Sequence, residues 1–170
     1  RDLSKQDIIV TGQMGDATDL ISMLEKMGYR VFPVARLREF IAEHVDSIQP
    51  GAVINMAHGR LGDEITQFLQ ERNIPLFSPL NVNCPVEEWE ADKMGMQGGF
   101  MSQSIVTPEI DGAVLPYTLF AHRKSKDGFQ ELYAIPERLE TFVKTIDNYL
   151  NLQQKPNADK RVVVFYYKGA

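Results

Sequence analysis

Side chains able to carry chemistry are few and scattered in this 170-residue sequence. His44, His58 and His122 form no i, i+4 pair and have no carboxylate at ligand spacing. Metal sites need nitrogen, sulfur and oxygen donors that converge, so this chain alone is expected to hold no metal. Cys84 is the only cysteine. It cannot form an intrachain disulfide, has no evident activating base, and reads as an inert thiol. No serine stands in a Gly-x-Ser-x-Gly elbow. Gly12-Gln13-Met14-Gly15 occupies the strand-to-helix position where phosphate loops occur. However, it lacks the Gly-Lys-Ser/Thr ending of one such loop and the third glycine of the other. Asp16 also places a negative charge where a phosphate would lie. Gly12 and Gly15 are ligand-loop candidates, but a tight turn is the preferred reading.

Two further segments qualify. Ala57-His58-Gly59-Arg60-Leu61-Gly62 follows a strand-like run, so His58 is placed at the carboxyl edge of a sheet, where open α/β sheets bind ligands. Glu109 and Asp111 are carboxylates in one turn and could do acid–base work. Pro108 and Asp111-Gly112 are also ordinary turn chemistry, and the structural role is preferred. Trp89 stands among Glu87, Glu88, Glu90 and Asp92, and its ring is expected to anchor an acidic helix.

These residues must be held by regular elements. Asp7–Val10, Tyr29–Val34, Ala52–Met56 and Ile74–Phe77 read as strands. Between them lie helical patterns from Asp16 to Met27, Leu37 to about Asp46, and Asp63 to Arg72, with Asp16 as a cap. Strands alternating with single amphipathic helices imply right-handed crossovers and a parallel sheet. The expected fold is a doubly wound, flavodoxin-like α/β domain. From Pro85 the pattern changes. Val86–Met94 reads as a helix, Ile105–Thr107 and Ala113–Phe120 as strands, and Arg123–Lys126 as a solvated loop. Pro136 opens a helix carrying Leu139, Phe142, Val143, Ile146, Tyr149 and Leu150 at helical spacing. Arg161–Tyr167 reads as a buried strand. The expected organisation is flavodoxin-like βα units over 1–84 and a completing segment over 85–135. Over 136–170, a helix and strand lead into a further unit.

Composition limits the function classes. A hydrophobic fraction of 44% and a charged fraction of 24% suit a folded globular chain. The net charge of −5 disfavours nucleic acid. No apolar run approaches the roughly 18 residues that span a bilayer. The first residues lack a methionine and a signal-peptide core, so preceding sequence is expected.

Several ordered motifs resemble one family. Pro85-Val86-Glu87-Glu88-Trp89-Glu90, Lys93-Met94-Gly95-Met96, Thr107-Pro108-Glu109-Ile110-Asp111-Gly112 and Leu152–Arg161 with Pro156-Asn157 follow one another in the family's order. They resemble the CobN-type cobaltochelatase large subunit and the H subunit of magnesium chelatase. The specific likeness covers about residues 75–167 and makes Trp89, Glu109, Asp111 and Gly112 family-motif positions. Pro85 stands where the family has serine, and the sequence after Val164 departs from its pattern. The family's His-Gly-Thr-His-Gly-x-x-Glu segment is absent, so no catalytic residue carries over.

The resemblance implies a non-catalytic segment of a large cytoplasmic subunit, a ligase forming nitrogen–metal bonds. The parent would bind a tetrapyrrole and a divalent metal, and ATP would be hydrolysed by AAA+ partner subunits. Cobalt or magnesium insertion into a corrinoid or porphyrin is implied, as in cobalamin-type biosynthesis; some relatives are tied to metal removal from haem. The residues alone leave a second reading, a free-standing flavodoxin-like module binding a small molecule near Gly12 and His58.

Overall fold

Strand β1 (Asp7–Thr11) is buried along its whole length, as a run of β-branched residues must be when both sheet faces are covered. In the computed structural model, which describes residues 5–12, 16–44, 46–48 and 50–169, β1 pairs in parallel with β2 (Arg30–Val34) and β3 (Pro50–Asn55). Strand β3 pairs with β4 (Leu76–Phe77), and β4 with β6 (Ala113–Val114). The order is β2-β1-β3-β4-β6, all parallel. This is the doubly wound, flavodoxin-like arrangement expected from the alternating pattern.

The period-two alternation of the strands divides the core between the two faces. Ile8, Val10, Ala52, Ile54 and Phe77 meet Leu20 and Leu24 of α1 (Thr18–Lys26) and five residues of α7 (Pro136–Gln154), namely Leu139, Phe142, Val143, Ile146 and Leu150. Ile9, Val53 and Leu76 meet Leu37 and Ile41 of α2 (Leu37–His44) and Ile65 and Leu69 of α3 (Asp63–Glu71). Helix α7 therefore covers one face of the sheet beside α1. Asp16 supports the start of α1 by accepting the Thr18 N–H at 2.9 Å.

A second sheet grows from the first. After Ser78-Pro79 the chain re-enters extended structure as β5 (Leu80–Pro85), and after Leu115-Pro116-Tyr117 as β7 (Thr118–Lys124). The β5–β7 pair is parallel, and β7 pairs antiparallel with β8 (Gln130–Ala134). The expected continuous strand over Ala113–Phe120 is thus two strands. Pro116 has no N–H for a ladder, and Leu115 turns through a positive φ of 59°. Arg123 and Lys124, expected in a loop, finish β7, because the tight turn begins only at Ser125, whose N–H bonds Phe129 O at 2.7 Å.

The largest correction concerns Ile105–Thr107, expected as a strand. These residues lie inside a helical run composed of α5 (Gly98–Met101), a π-helical stretch (Ser102–Val106) and α6 (Thr107–Ile110). β-Branched residues favour strands by propensity, but here Ser104 and Pro108, four apart, are the buried positions. Pro108 cannot donate to the carbonyl of Ser104, and a widened turn accommodates the lost bond. Helix α4 (Val86–Ala91) lies within its expected range. Arg161–Tyr167, expected as a buried strand, carries no ladder. Val162 to Tyr167 are 73–97% exposed, since strand propensity is realised only where a neighbouring strand supplies hydrogen bonds.

Two outcomes follow from α7. Ile146 is fully buried, so Ile146→Asp is expected to cost about 3 kcal/mol or more by burying a charge. A urea midpoint equal to the parent chain's would show that α7 does not pack as described. Asp147 on the same helix accepts bonds from Lys5 Nζ at 2.6 Å and Tyr29 Oη at 2.7 Å. Burial works against its ionised form, but these bonds and the Lys5 charge prevail and hold the carboxyl below its ordinary value. A depressed carboxyl stabilises the fold above the unfolded-state pKa of about 4, and that contribution is lost as pH falls through the folded value. The stability gap between the parent and Asp147→Asn is therefore expected to be full at neutral pH and to shrink below about pH 4. Urea titrations at both pH values check this, and a gap that widens on acidification would contradict the assignment.

Candidate functional site at the carboxyl edge of the sheet

The strand order changes direction between β1 and β3, and ligands of such sheets lie outside the carboxyl ends at that point. Here the ends of β1, β2 and β3 open on a cleft of about 390 Å³ lined by Thr11, Gly12, Arg38, Asn55, His58 and Arg60, among others. A neighbouring hollow of about 300 Å³ shares Thr11 and Gly12 and adds Asp16, Thr18 and Pro33.

Gly12 owes its identity to close approach. Its φ is +77°, and a β-carbon there would stand 2.4 Å from the Ala57 nitrogen and 2.6 Å from Asn55 Oδ1. The turn after β1 is thus fitted against the turn after β3. Met56 N–H bonds Thr11 O at 2.9 Å, and Asn55 Oδ1 accepts the Ala57 N–H at 3.1 Å. The Thr11 hydroxyl donates to Val34 O at 2.7 Å. Gly15 lies outside the described residues.

His58 is half-buried on the loop from β3 to α3. Its Nδ1 stands 3.4 Å from Ser104 Oγ, and its ring meets Phe100 edge-on at 6.2 Å. Proton transfer between a nucleophile and its base needs roughly 2.6–3.2 Å, so this contact is too long to activate Ser104. What it does is seat the loop against the helical run.

Asp111 is the strongest link. Its side chain is 1% exposed and accepts from Arg60 Nε at 2.5 Å and the Leu61 N–H at 2.6 Å. Thr66 Oγ1 adds a longer contact at 3.4 Å. The hydrogen bond to Asp111 raises the Arg60 guanidinium above its ordinary value. Arg60 also reaches Asp63 at 3.4 Å, and Arg38 pairs with Glu64 at 3.1 Å. The cations of the cleft are therefore already matched by carboxylates.

The structure brings Gly12, His58 and Asp111 to one edge of the molecule but separates the other singled-out residues. Glu109 is exposed and Gly112 turns the chain at φ +88° with open space around its α-carbon. Trp89 packs beside the second sheet near Val82, Ala121 and Ile135. Cys84 lies there too, its thiol pushed up by burial and by Glu88 and Asp92, which agrees with an unreactive group. Among the described residues no cluster of three or more His, Cys, Asp or Glu is placed to hold a metal. Arg60, Thr66, Ser104 and Phe100 were missed by sequence reasoning. Arg60 and Asp111 are 51 residues apart, and nothing in one sequence signals that pairing.

Removing the Asp111 carboxylate leaves the part-buried Leu61 N–H without its acceptor and leaves Arg60 with only its longer pairing to Asp63. Asp111→Ala is expected to cost about 2 kcal/mol or more and to increase hydrogen exchange at Leu61 relative to the β1 amides. Parent-like exchange at Leu61 would show that the carboxylate does not hold the loop.

Known proteins agree with this architecture. The family model described as CobN/Magnesium Chelatase matches residues 3–170. Two uncharacterised proteins of Methanocaldococcus jannaschii are 24% and 27% identical over 105 and 106 residues, or 61% and 59% of this chain. The matched stretch is only 8% and 9% of those proteins. The catalytic subunit of cobaltochelatase from Mycobacterium tuberculosis superposes with a TM-score of 0.69 and 19% identity, over 92% of this chain and 16% of that subunit. At that identity the likeness establishes the fold. With the family matched across nearly all of its length, the chain belongs to the CobN/magnesium chelatase family.

Proposed function

We propose that these residues form a non-catalytic α/β segment of the large tetrapyrrole-binding subunit of an ATP-dependent metal chelatase. The observation that carries the reading is the state of the carboxyl edge. Its polar groups are engaged with one another, Asp111 with Arg60 and Leu61, Asn55 with Ala57, Thr11 with Val34. Such an edge is organised to hold loops in place, and its charges are not left to meet a reacting group. Family membership over residues 3–170 supports the chelatase part of this reading. The parent polypeptide binds a tetrapyrrole as substrate and exchanges a divalent metal with it, while partner AAA+ subunits hydrolyse ATP. Cobalt or magnesium insertion into a corrinoid or porphyrin, and iron removal from haem, both remain within this class. Glu109 and Gly112 then shape the turn that presents Asp111.

The test compares two lengths of chain. The full-length polypeptide is expected to bind porphyrin saturably, followed by its absorbance band, whereas residues 1–170 bind it weakly or not at all. A full-length protein that leaves porphyrin absorbance unchanged would overturn the reading. The competing reading, a small-molecule module, draws on the cleft beside Gly12 and His58. Saturable flavin or nucleotide binding by residues 1–170, lost in His58→Ala, would favour it instead.

A further inference from the structure

A further cleft lies on the second sheet and reaches the carboxyl edge only through Phe100, whose ring meets His58. It measures about 360 Å³ and is lined by Val82, Cys84, Trp89, Met96 and Phe100, with Glu88 and Asp92 at its polar margin. Its walls are aromatic, thioether and aliphatic, a composition that adapts to varied apolar side chains. Its charge is one-sided. Over residues 87–93 the carboxylates Glu87, Glu88, Glu90 and Asp92 accompany one cation, Lys93, and Arg138 adds a second against the Trp89 ring, so carboxylates remain in excess. Both Glu88 and Asp92 act electrostatically on the Cys84 thiol, so their charge is felt inside the cleft.

We infer that this cleft is a docking site for a basic, apolar peptide segment of another polypeptide, one in which arginine or lysine stands among aliphatic residues. Charge complementarity chooses this occupant. An apolar floor alone would accept many side chains, but the carboxylate margin selects against acidic ones and favours a cation at the end of an apolar stem. The molecule shows the same recognition internally. The Arg138 guanidinium lies 4.9 Å from the centre of the Trp89 ring and 4.3 Å from that of Tyr117, so an aromatic of this cleft already receives an arginine. Met94, 76% exposed beside the cleft, extends the apolar surface that an incoming segment would cover.

The chain carries its own reporters, since Trp89 is its only tryptophan and Cys84 its only cysteine. Residues 1–170 are titrated with a short synthetic peptide alternating leucine and arginine, and with its leucine–glutamate counterpart. The basic peptide is expected to give a saturable change in Trp89 emission and to slow thiol labelling of Cys84. Its affinity should weaken about tenfold in Glu88→Gln/Asp92→Asn and on raising the salt. The replaced side chains are solvent-facing, and the salt series on the unaltered chain tests the same charge without any substitution. No saturable change with the basic peptide would overturn the proposal, as would equal binding of the acidic peptide or affinity indifferent to both salt and substitution. An emission change that follows protein concentration without peptide would also overturn it, making the occupant a second copy of the chain.

Discussion

Asp111 carries a charge that is almost wholly withdrawn from water, and such a charge is tolerated only when its hydrogen bonds are met. It meets them on the β3–α3 loop, with the Arg60 guanidinium and the Leu61 N–H. The consequence reaches beyond that loop. Strand β6 begins two residues later and pairs with β4 over only two positions, Leu76↔Ala113 and Phe77↔Val114. So short a ladder has little power to set its own register. The ion pair, buried on its Asp111 side, supplies a second anchor, tying the entry of β6 to the start of α3. Gly112 makes the turn between anchor and strand through a positive φ.

From β4 and β6 the chain continues into the second sheet, so the same anchor bears on its placement. Pro79 and Pro116 interrupt the two parallel strands at adjoining points, and Leu80 N–H bonds Tyr117 O at 2.8 Å as pairing resumes. One parallel pair is thereby used twice, as the edge of the main sheet and as the base of a smaller one. The small sheet carries Trp89 and the acidic cleft, whereas the main sheet carries the carboxyl-edge cleft with Gly12 and His58. The two surfaces differ in electrostatic character. At the main edge, cations and carboxylates neutralise one another in short pairs; beside the small sheet, α4 and the residues after it carry Glu87, Glu88, Glu90 and Asp92 with Lys93 as their one cation.

A chain that spans 8–16% of the proteins it resembles is well described by this division. The doubly wound sheet supplies a stiff body through burial on both faces, and the polar bonding at its edge immobilises the loops. The His58–Ser104 contact at 3.4 Å belongs to the same immobilisation, seating the β3–α3 loop against the helical run.

The sequence by itself determined the parallel α/β fold, because continuous β-branched runs separated by single amphipathic helices leave few ways to bury both faces of a sheet. It determined α7 as well, since Leu139, Phe142, Ile146 and Leu150 repeat at helical spacing. Motif order carried the family, though motifs say nothing of contacts. Only the tertiary structure decided the rest. Ile105, Val106 and Thr107 were legible as strand formers, yet they lie in a helical run with Ser104 and Pro108 turned inward, since tertiary context overrides local propensity. Arg161–Tyr167 has the composition of a strand but no ladder, because a strand requires a neighbour and composition cannot supply one. Asp111 was legible as a turn carboxylate next to glycine. That it is a buried anchor for Arg60 could not be read, because the pairing spans 51 residues and exists only once α3 and the helical run have packed around it.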